Sequence, residues 1–167
     1  MGLFQSLFGG SKEAPSKGYQ IYAPVAGQAV AISEVSDPTF GEEILGKGMA
    51  IKPSEGKVFA PCDASVDVMF DTGHAVSLIS DDGVEVLIHV GLDTVNLKGE
   101  HFTAHTKSGD KVKKGQLLIE FDKDAIAAAG YDTITPVVIC NTPDYAAITP
   151  KTGSAVAPGD VVLELSK

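Results

Sequence analysis

The chain reads as an all-β protein, an antiparallel β-sandwich or barrel-like fold with two pseudo-symmetric halves and only short helices. Three observations predict this. From residue 19 onward, short Val-, Ile- and Ala-rich runs are broken about every eight to twelve residues by Gly, Pro, Asp or Ser, the spacing of sandwich strands and their turns. Helical periodicity is weak throughout. The chain also repeats itself: APVAGQAVAI (23–32) resembles APCDASVDVMF (60–70), and VKKGQLLIEF (112–121) aligns with VAPGDVVLEL (156–165). In the second pair a glycine makes the turn that admits the β-run.

Residues 1–18 precede this pattern and read as a flexible tail. Within MGLFQSLFGG, Leu3, Phe4, Leu7 and Phe8 would share one face of a two-turn helix, a weak amphipathic element able at most to touch a membrane surface. Gly2 and Ser6 fit the short myristoylation pattern. GGSKEAPSKG (9–18) is a linker by composition. Residues 19–167 are expected to form a single domain, a reasonable size for one buried core. Two helical segments are expected there: Asp122–Gly130, with Asp122 as N-cap and Gly130 as terminator, and a short helix or turn near Phe40–Leu45.

Composition narrows the function. Thirteen basic against 22 acidic residues give a formal charge of −9, which repels nucleic acid and anionic membranes and favours a basic partner surface. The two cysteines, Cys62 and Cys140, cannot build a disulfide framework and lack zinc-ligand spacing, so both read as packing residues in a reduced cytoplasmic setting. No run approaches the roughly 18 apolar residues that span a bilayer.

The chemistry concentrates in one hairpin. HAVSLI (74–79) and VEVLIHV (84–90) flank SDDG (80–83), a strong loop signal. A four-residue loop would set His74 directly opposite His89, about 4.5 to 5.5 Å apart at Cβ; a two-residue Asp82-Gly83 turn would leave them diagonal, about 7 to 8 Å apart. A three-residue loop would put them on opposite faces, and the strands' own apolar pattern argues against it. Val84, Val86, Ile88 and Val90 form an apolar stripe suited to the core, so Glu85, Leu87 and His89 are expected to face outward, joined by His74, Val76 and Leu78 from the partner strand. Two imidazoles ringed by apolar side chains look like a docking surface.

Three chemistries suit such a pair. Zinc would need at least a third ligand, for which Asp93 is the nearest candidate, and a zinc hydrolase would need a general base besides. A serine nucleophile would want a G-x-S-x-G elbow, which the chain lacks. Phosphoryl transfer through histidine uses both imidazoles, one as nucleophile and one as hydrogen-bond donor to the phosphoryl oxygens. His101 and His105, in HFTAHT, read as solvent-exposed. A biotinyl or lipoyl carrier is disfavoured because no Met-Lys-Met triplet occurs.

EEILGKGMAIKPSEGKVFAPCDASV, DTGHAVSLISDDGVEVLIHVGLDTVNLKGEHF, GDKVKKGQLLIEFD and TPVVICN together resemble the glucose-type enzyme IIA component of the bacterial phosphoenolpyruvate:sugar phosphotransferase system. The segment from His89 to Gly99 is the most specific part. The resemblance implies a compact β-sandwich and a phosphocarrier. His89 would be phosphorylated by the histidine-containing phosphocarrier protein and would pass the group to a sugar-transporter IIB domain. His74 would assist, with Thr72 in its hydrogen-bond network and the Gly91 carbonyl holding the His89 tautomer. Asp37 and Asp93 would flank the site and pair with basic partner residues. Phe40, Ile44, Leu45, Phe70, Val76, Leu87 and Val95 would form an apolar docking rim. No cofactor is required by this reading, although zinc could sit between His74, His89 and a partner's carboxylate. A regulatory module gated by phosphorylation, acting on permeases or kinases, is the alternative, and a zinc-dependent hydrolase a more distant one.

Overall fold

The computed structural model describes residues 19–167; the tail and its amphipathic face lie outside the described residues. In chain order the strands are β1 (Gln20–Tyr22), β2 (Gly27–Ala31), β3 (Lys47–Pro53), β4 (Lys57–Phe59), β5 (Ala64–Met69), β6 (Ala75–Ser80), β7 (Glu85–His89), β8 (Phe102–Ala104), β9 (Lys111–Val112), β10 (Leu117–Phe121), β11 (Thr135–Ile139), β12 (Ala147–Pro150), β13 (Ala155–Val156) and β14 (Val161–Ser166). Two short α-helices interrupt them, α1 (Pro38–Gly41) and α2 (Lys123–Ala128). All pairings are antiparallel. One eight-stranded sheet runs β9-β5-β6-β7-β11-β3-β2-β13, and two three-stranded sheets run β4-β10-β8 and β12-β14-β1.

The sequence repeats pair with one another, and in matching register. Val112 faces Ala64 at one end of the large sheet, as Val156 faces Gly27 at the other. Ile119 faces Val58 and Leu163 faces Ile21, each beside a ladder irregularity at the same place in its repeat. The two halves are thus copies of one arrangement, joined where β7 pairs β11 at the middle of the large sheet. One half, β4 to β10, is inserted between β3 and β11 of the other.

The main core lies between the sheets, where Met49, Ile51, Val58, Leu78, Ile88, Leu118, Ile119, Ile139 and Leu163 are buried. A second, smaller core covers part of the opposite face of the large sheet: Ile32, Val35 and Phe40, from the segment between β2 and β3, pack over Val30, Ala50 and Val138, with Leu87 at its margin. At about 25 cal/mol per Å² of apolar surface, each of these side chains larger than alanine contributes roughly 1.5 to 3 kcal/mol. The expected helices form with small shifts. Asp122 caps α2 by accepting from the Ala125 amide at 3.0 Å, and α1 begins at Pro38, ahead of the expected Phe40, because Asp37 caps it through the Thr39 amide at 3.0 Å.

Contrary to the expectation from the strands' apolar pattern, the hairpin adopts the three-residue loop, Asp81-Asp82-Gly83. Ser80 and Val84 close it, with the Ser80 amide donating to the Val84 carbonyl at 2.8 Å and the Gly83 amide to the Ser80 carbonyl at 2.9 Å. Gly83 takes φ +90°, the left-handed position that completes this loop type. Val76 therefore faces Ile88, and Leu78 faces Val86, on the core side. Both are essentially inaccessible, so the expectation that they line the outer face is corrected. The outward stripe of β6 is Ala75, Ser77 and Ile79, opposite His89, Leu87 and Glu85.

Candidate active site

His89 ends β7 on the outer face, opposite Ala75. By strict alternation His74 would point the other way. It escapes that rule because β6 begins only at Ala75: the Val90 amide still donates to the His74 carbonyl at 2.7 Å, but the chain leaves the ladder there through the turn at Asp71–His74. The two imidazoles meet with centroids 4.9 Å apart and planes at 82°. The three-residue loop, which strand parity alone would take as separating the histidines, does not separate them, since alternation holds only inside a paired strand.

Each ring is held at Nδ1. The His89 Nδ1–H donates to the Gly91 carbonyl at 2.7 Å, which leaves Nε2 unprotonated in the neutral ring. Nδ1 of His74 hydrogen-bonds the Thr72 hydroxyl. Three phenylalanines enclose the pair: Phe40 at 5.0 Å from His89, and Phe70 and Phe102 at 5.4 and 6.5 Å from His74. Such apolar walls make each positive charge costly. Burial, with the neighbouring His89 charge, pushes the His74 imidazole down to about 4. Burial also lowers His89, opposed by its hydrogen bond to Gly91 and by the charges of Asp37 and Asp93. Both shifts favour the neutral rings, the form in which an imidazole nitrogen carries a free lone pair.

The remaining candidates separate into groups. Asp37 and Asp93 lie close enough for their charges to act on His89; Asp93 sits at φ +60°, and Asp37 holds α1 in place as its cap. Ile44, Leu45, Phe70 and Val95 are exposed apolar side chains. Leu87 is half-buried. Phe40, expected on the docking rim, is only 4% exposed, and belongs to the small core beneath His89. His74, expected on an open surface, is likewise only 4% exposed. Cys62 packs against the main core, and burial with Asp63, Asp81 and Asp82 pushes its thiol up to about 12; Cys140 is exposed and is not a packing residue. His105 is exposed and contacts Glu120 at 2.7 Å.

Phe102 was not singled out from sequence, because its place beside His74 depends on β8 pairing to β10, far from the hairpin. For a metal, His74 and His89 present only their two Nε2 atoms, and among the described residues no group of three or more His, Cys, Asp or Glu converges. Two nitrogens fall short of the three protein ligands usual at a catalytic zinc. Among the described residues no helix is long and apolar enough to cross a membrane.

Comparison with known proteins places this geometry. Residues 19–145 match the family model described as phosphoenolpyruvate-dependent sugar phosphotransferase system, EIIA 1. The glucose-specific EIIA component of Haemophilus influenzae is 44% identical over 167 residues, the full length of both chains. The beta-glucoside-specific EIIBCA component of Bacillus subtilis is 45% identical over 168 residues, covering 94% of this chain but 28% of that protein. Among solved structures, the glucose permease IIA of Mycoplasma capricolum superposes with a TM-score of 0.82 at 32% identity, over 89% of this chain and 96% of its own. The chain belongs to the EIIA 1 family of the phosphoenolpyruvate-dependent sugar phosphotransferase system.

Proposed function

We propose that the chain is a phosphocarrier whose His89 Nε2 accepts a phosphoryl group from the phosphorylated histidine-containing phosphocarrier protein and donates it to the IIB domain of a sugar transporter. The observation that carries this reading is the hydrogen bond from His89 Nδ1 to the Gly91 carbonyl, which leaves the Nε2 lone pair free. In the first step the P–N bond breaks in a donor ring that carries a proton on its other nitrogen, a P–Nε2 bond forms, and the donor imidazole leaves as a neutral ring. The charge that develops on the His89 ring is stabilised by the Gly91 carbonyl at Nδ1.

With the Thr72 hydroxyl donating to His74 Nδ1, the proton of His74 resides on Nε2, where it can bond a phosphoryl oxygen. Ile44, Leu45, Phe70 and Val95 offer the apolar contact surface, and Asp37 and Asp93 the anionic flank for a basic partner. The net charge of −9 speeds such an encounter. The EIIBCA relatives support a IIB acceptor, since their names join B, C and A portions in one protein. Zinc between His74, His89 and a partner's carboxylate would require the His74 proton to move from Nε2 to Nδ1, with the Thr72 hydroxyl accepting instead of donating, and plays no part in the transfer proposed.

The test is incubation with phosphoenolpyruvate, enzyme I and the phosphocarrier protein, followed by mass measurement. One acid-labile, base-stable phosphate is expected, and none on His89→Ala. Labelling that survives His89→Ala would overturn the assignment.

A further inference from the structure

The Gly91 carbonyl can select a tautomer only if its own direction is fixed, and the residues that fix it lie partly outside the hairpin. Both peptide units flanking Gly91 are bonded at both ends. In the unit 90–91, the Val90 carbonyl accepts from the Thr94 hydroxyl at 2.5 Å, and the Gly91 amide donates to the Ile134 carbonyl at 3.0 Å. In the unit 91–92, the Gly91 carbonyl accepts from His89, and the Leu92 amide donates to the Asp132 carbonyl at 3.0 Å. Because a trans peptide is planar, an anchored Leu92 N–H sets the direction of the Gly91 C=O on the opposite side.

Two side chains hold this cradle. Thr94 is polar yet wholly buried, its hydroxyl bonded to Val90 and its methyl occupying the space a Cβ on Gly91 would need. Asp132 is an exposed residue whose carboxylate accepts from the Ile134 amide at 2.9 Å, folding the 132–134 turn so that the Asp132 and Ile134 carbonyls face the Leu92 and Gly91 amides. We infer that Thr94 and Asp132 are positioning residues for phosphoryl transfer: they clamp the Gly91 peptides so that the carbonyl holds the proton on His89 Nδ1 and keeps Nε2 free to react.

The inference rests on the phosphocarrier reading, but its primary measurement does not need a phosphoryl donor. The full chain is labelled with ¹⁵N-histidine, and the His89 ring nitrogens are assigned by comparison with His89→Gln. The wild type is expected to show Nδ1 protonated and Nε2 bare. Thr94→Val and Asp132→Ala are expected to give a mixture of the two tautomers and to slow phosphorylation by about tenfold, the scale of one hydrogen bond weakened in the transition state. Asp132→Asn keeps the acceptor while losing the charge, and is expected to restore both readouts.

A merely structural role would lower the melting temperature and leave the tautomer untouched. Unchanged tautomer and rate in Thr94→Val and Asp132→Ala would overturn the inference. If Thr94→Val does not fold, the exposed Asp132 pair decides, and an Asp132→Ala spectrum identical to Asp132→Asn overturns it. Absence of phosphate on a wild type with the expected tautomer would instead count against the phosphocarrier reading alone.

Discussion

Gly91→Ala is the sharpest single perturbation, because the cost can be worked out and a control lies in the same hairpin. Gly91 sits at φ +79° and Gly83 at φ +90°, so an alanine at either must enter the left-handed region, at about 1 to 2 kcal/mol. At Gly83 nothing lies within 4 Å of the new Cβ, so that strain is the whole effect. At Gly91 the Cβ would come within 2.6 Å of the Thr94 methyl and 2.8 Å of the Asp132 carbonyl, both held by surrounding structure. Overpacking of that kind adds roughly 1 to 3 kcal/mol. For a chain of this size, each kcal/mol lowers the melting temperature by about 2 to 4 °C. At about 3 °C per kcal/mol, the middle of that range, Gly83→Ala is therefore expected to melt about 3 to 6 °C below the wild type, and Gly91→Ala about 6 to 15 °C below it. Calorimetry measures these losses, and the initial rate of phosphate incorporation measures the chemistry. Relief of the overlap must shift the Gly91 carbonyl away from His89, so incorporation is expected to fall at least about tenfold in Gly91→Ala and to stay unchanged in Gly83→Ala. Equal melting losses together with equal incorporation rates would refute the claim that this corner is tightly packed and oriented for chemistry.

Other expectations follow from the same geometry. His74→Gln is expected to be phosphorylated at His89 while onward transfer to a IIB domain slows by about 10²-fold, read by stopped-flow transfer; normal transfer would contradict an assisting role. Stability should depend on acid through His74, whose folded value of about 4 lies below the ordinary 6.5. The unfolded chain then binds more protons between these values, so stability is level above about pH 6.5, falls as pH drops toward 4, and levels again below it with respect to this group; denaturant midpoints in wild type and His74→Gln measure the difference. Phe40→Ala is expected to cost about 3 to 5 kcal/mol and, by admitting water to the ring beside it, to raise the His89 titration midpoint observed by NMR. Cys62 should resist thiol reagents at pH 8 in the folded chain, because burial keeps its thiol protonated; rapid modification would refute that burial.

Much of this molecule is legible in the local pattern of its residues. The outward stripe of Glu85, Leu87 and His89 follows from the apolar run opposite it, and burial agrees. The repeats announce two halves, and their register shows the match pair by pair. Asp122 and Gly130 bound α2 because capping is a property of a few neighbouring residues. These rules share a short range: alternation, capping and turn chemistry act within a few positions along the chain.

What only the tertiary structure decided depends on contacts between distant segments and on where a strand stops. Loop length in SDDG set Val76 and Leu78 into the core, and the end of β6 at Ala75 freed His74 to meet His89. Phe40 is buried because the β2–β3 segment folds over the large sheet, although nothing near Phe40 in the chain shows that cover. Phe102 reaches His74 from β8, which pairs with β10, and the 132–134 turn reaches Gly91 from the start of β11, bringing in an aromatic wall and the anchor for the Leu92 amide. Sequence by itself determined the fold class, the outward direction of His89 and the family; tertiary packing decided how the second histidine arrives and what anchors the Gly91 peptides, because those depend on where a strand stops and on residues far apart in the chain.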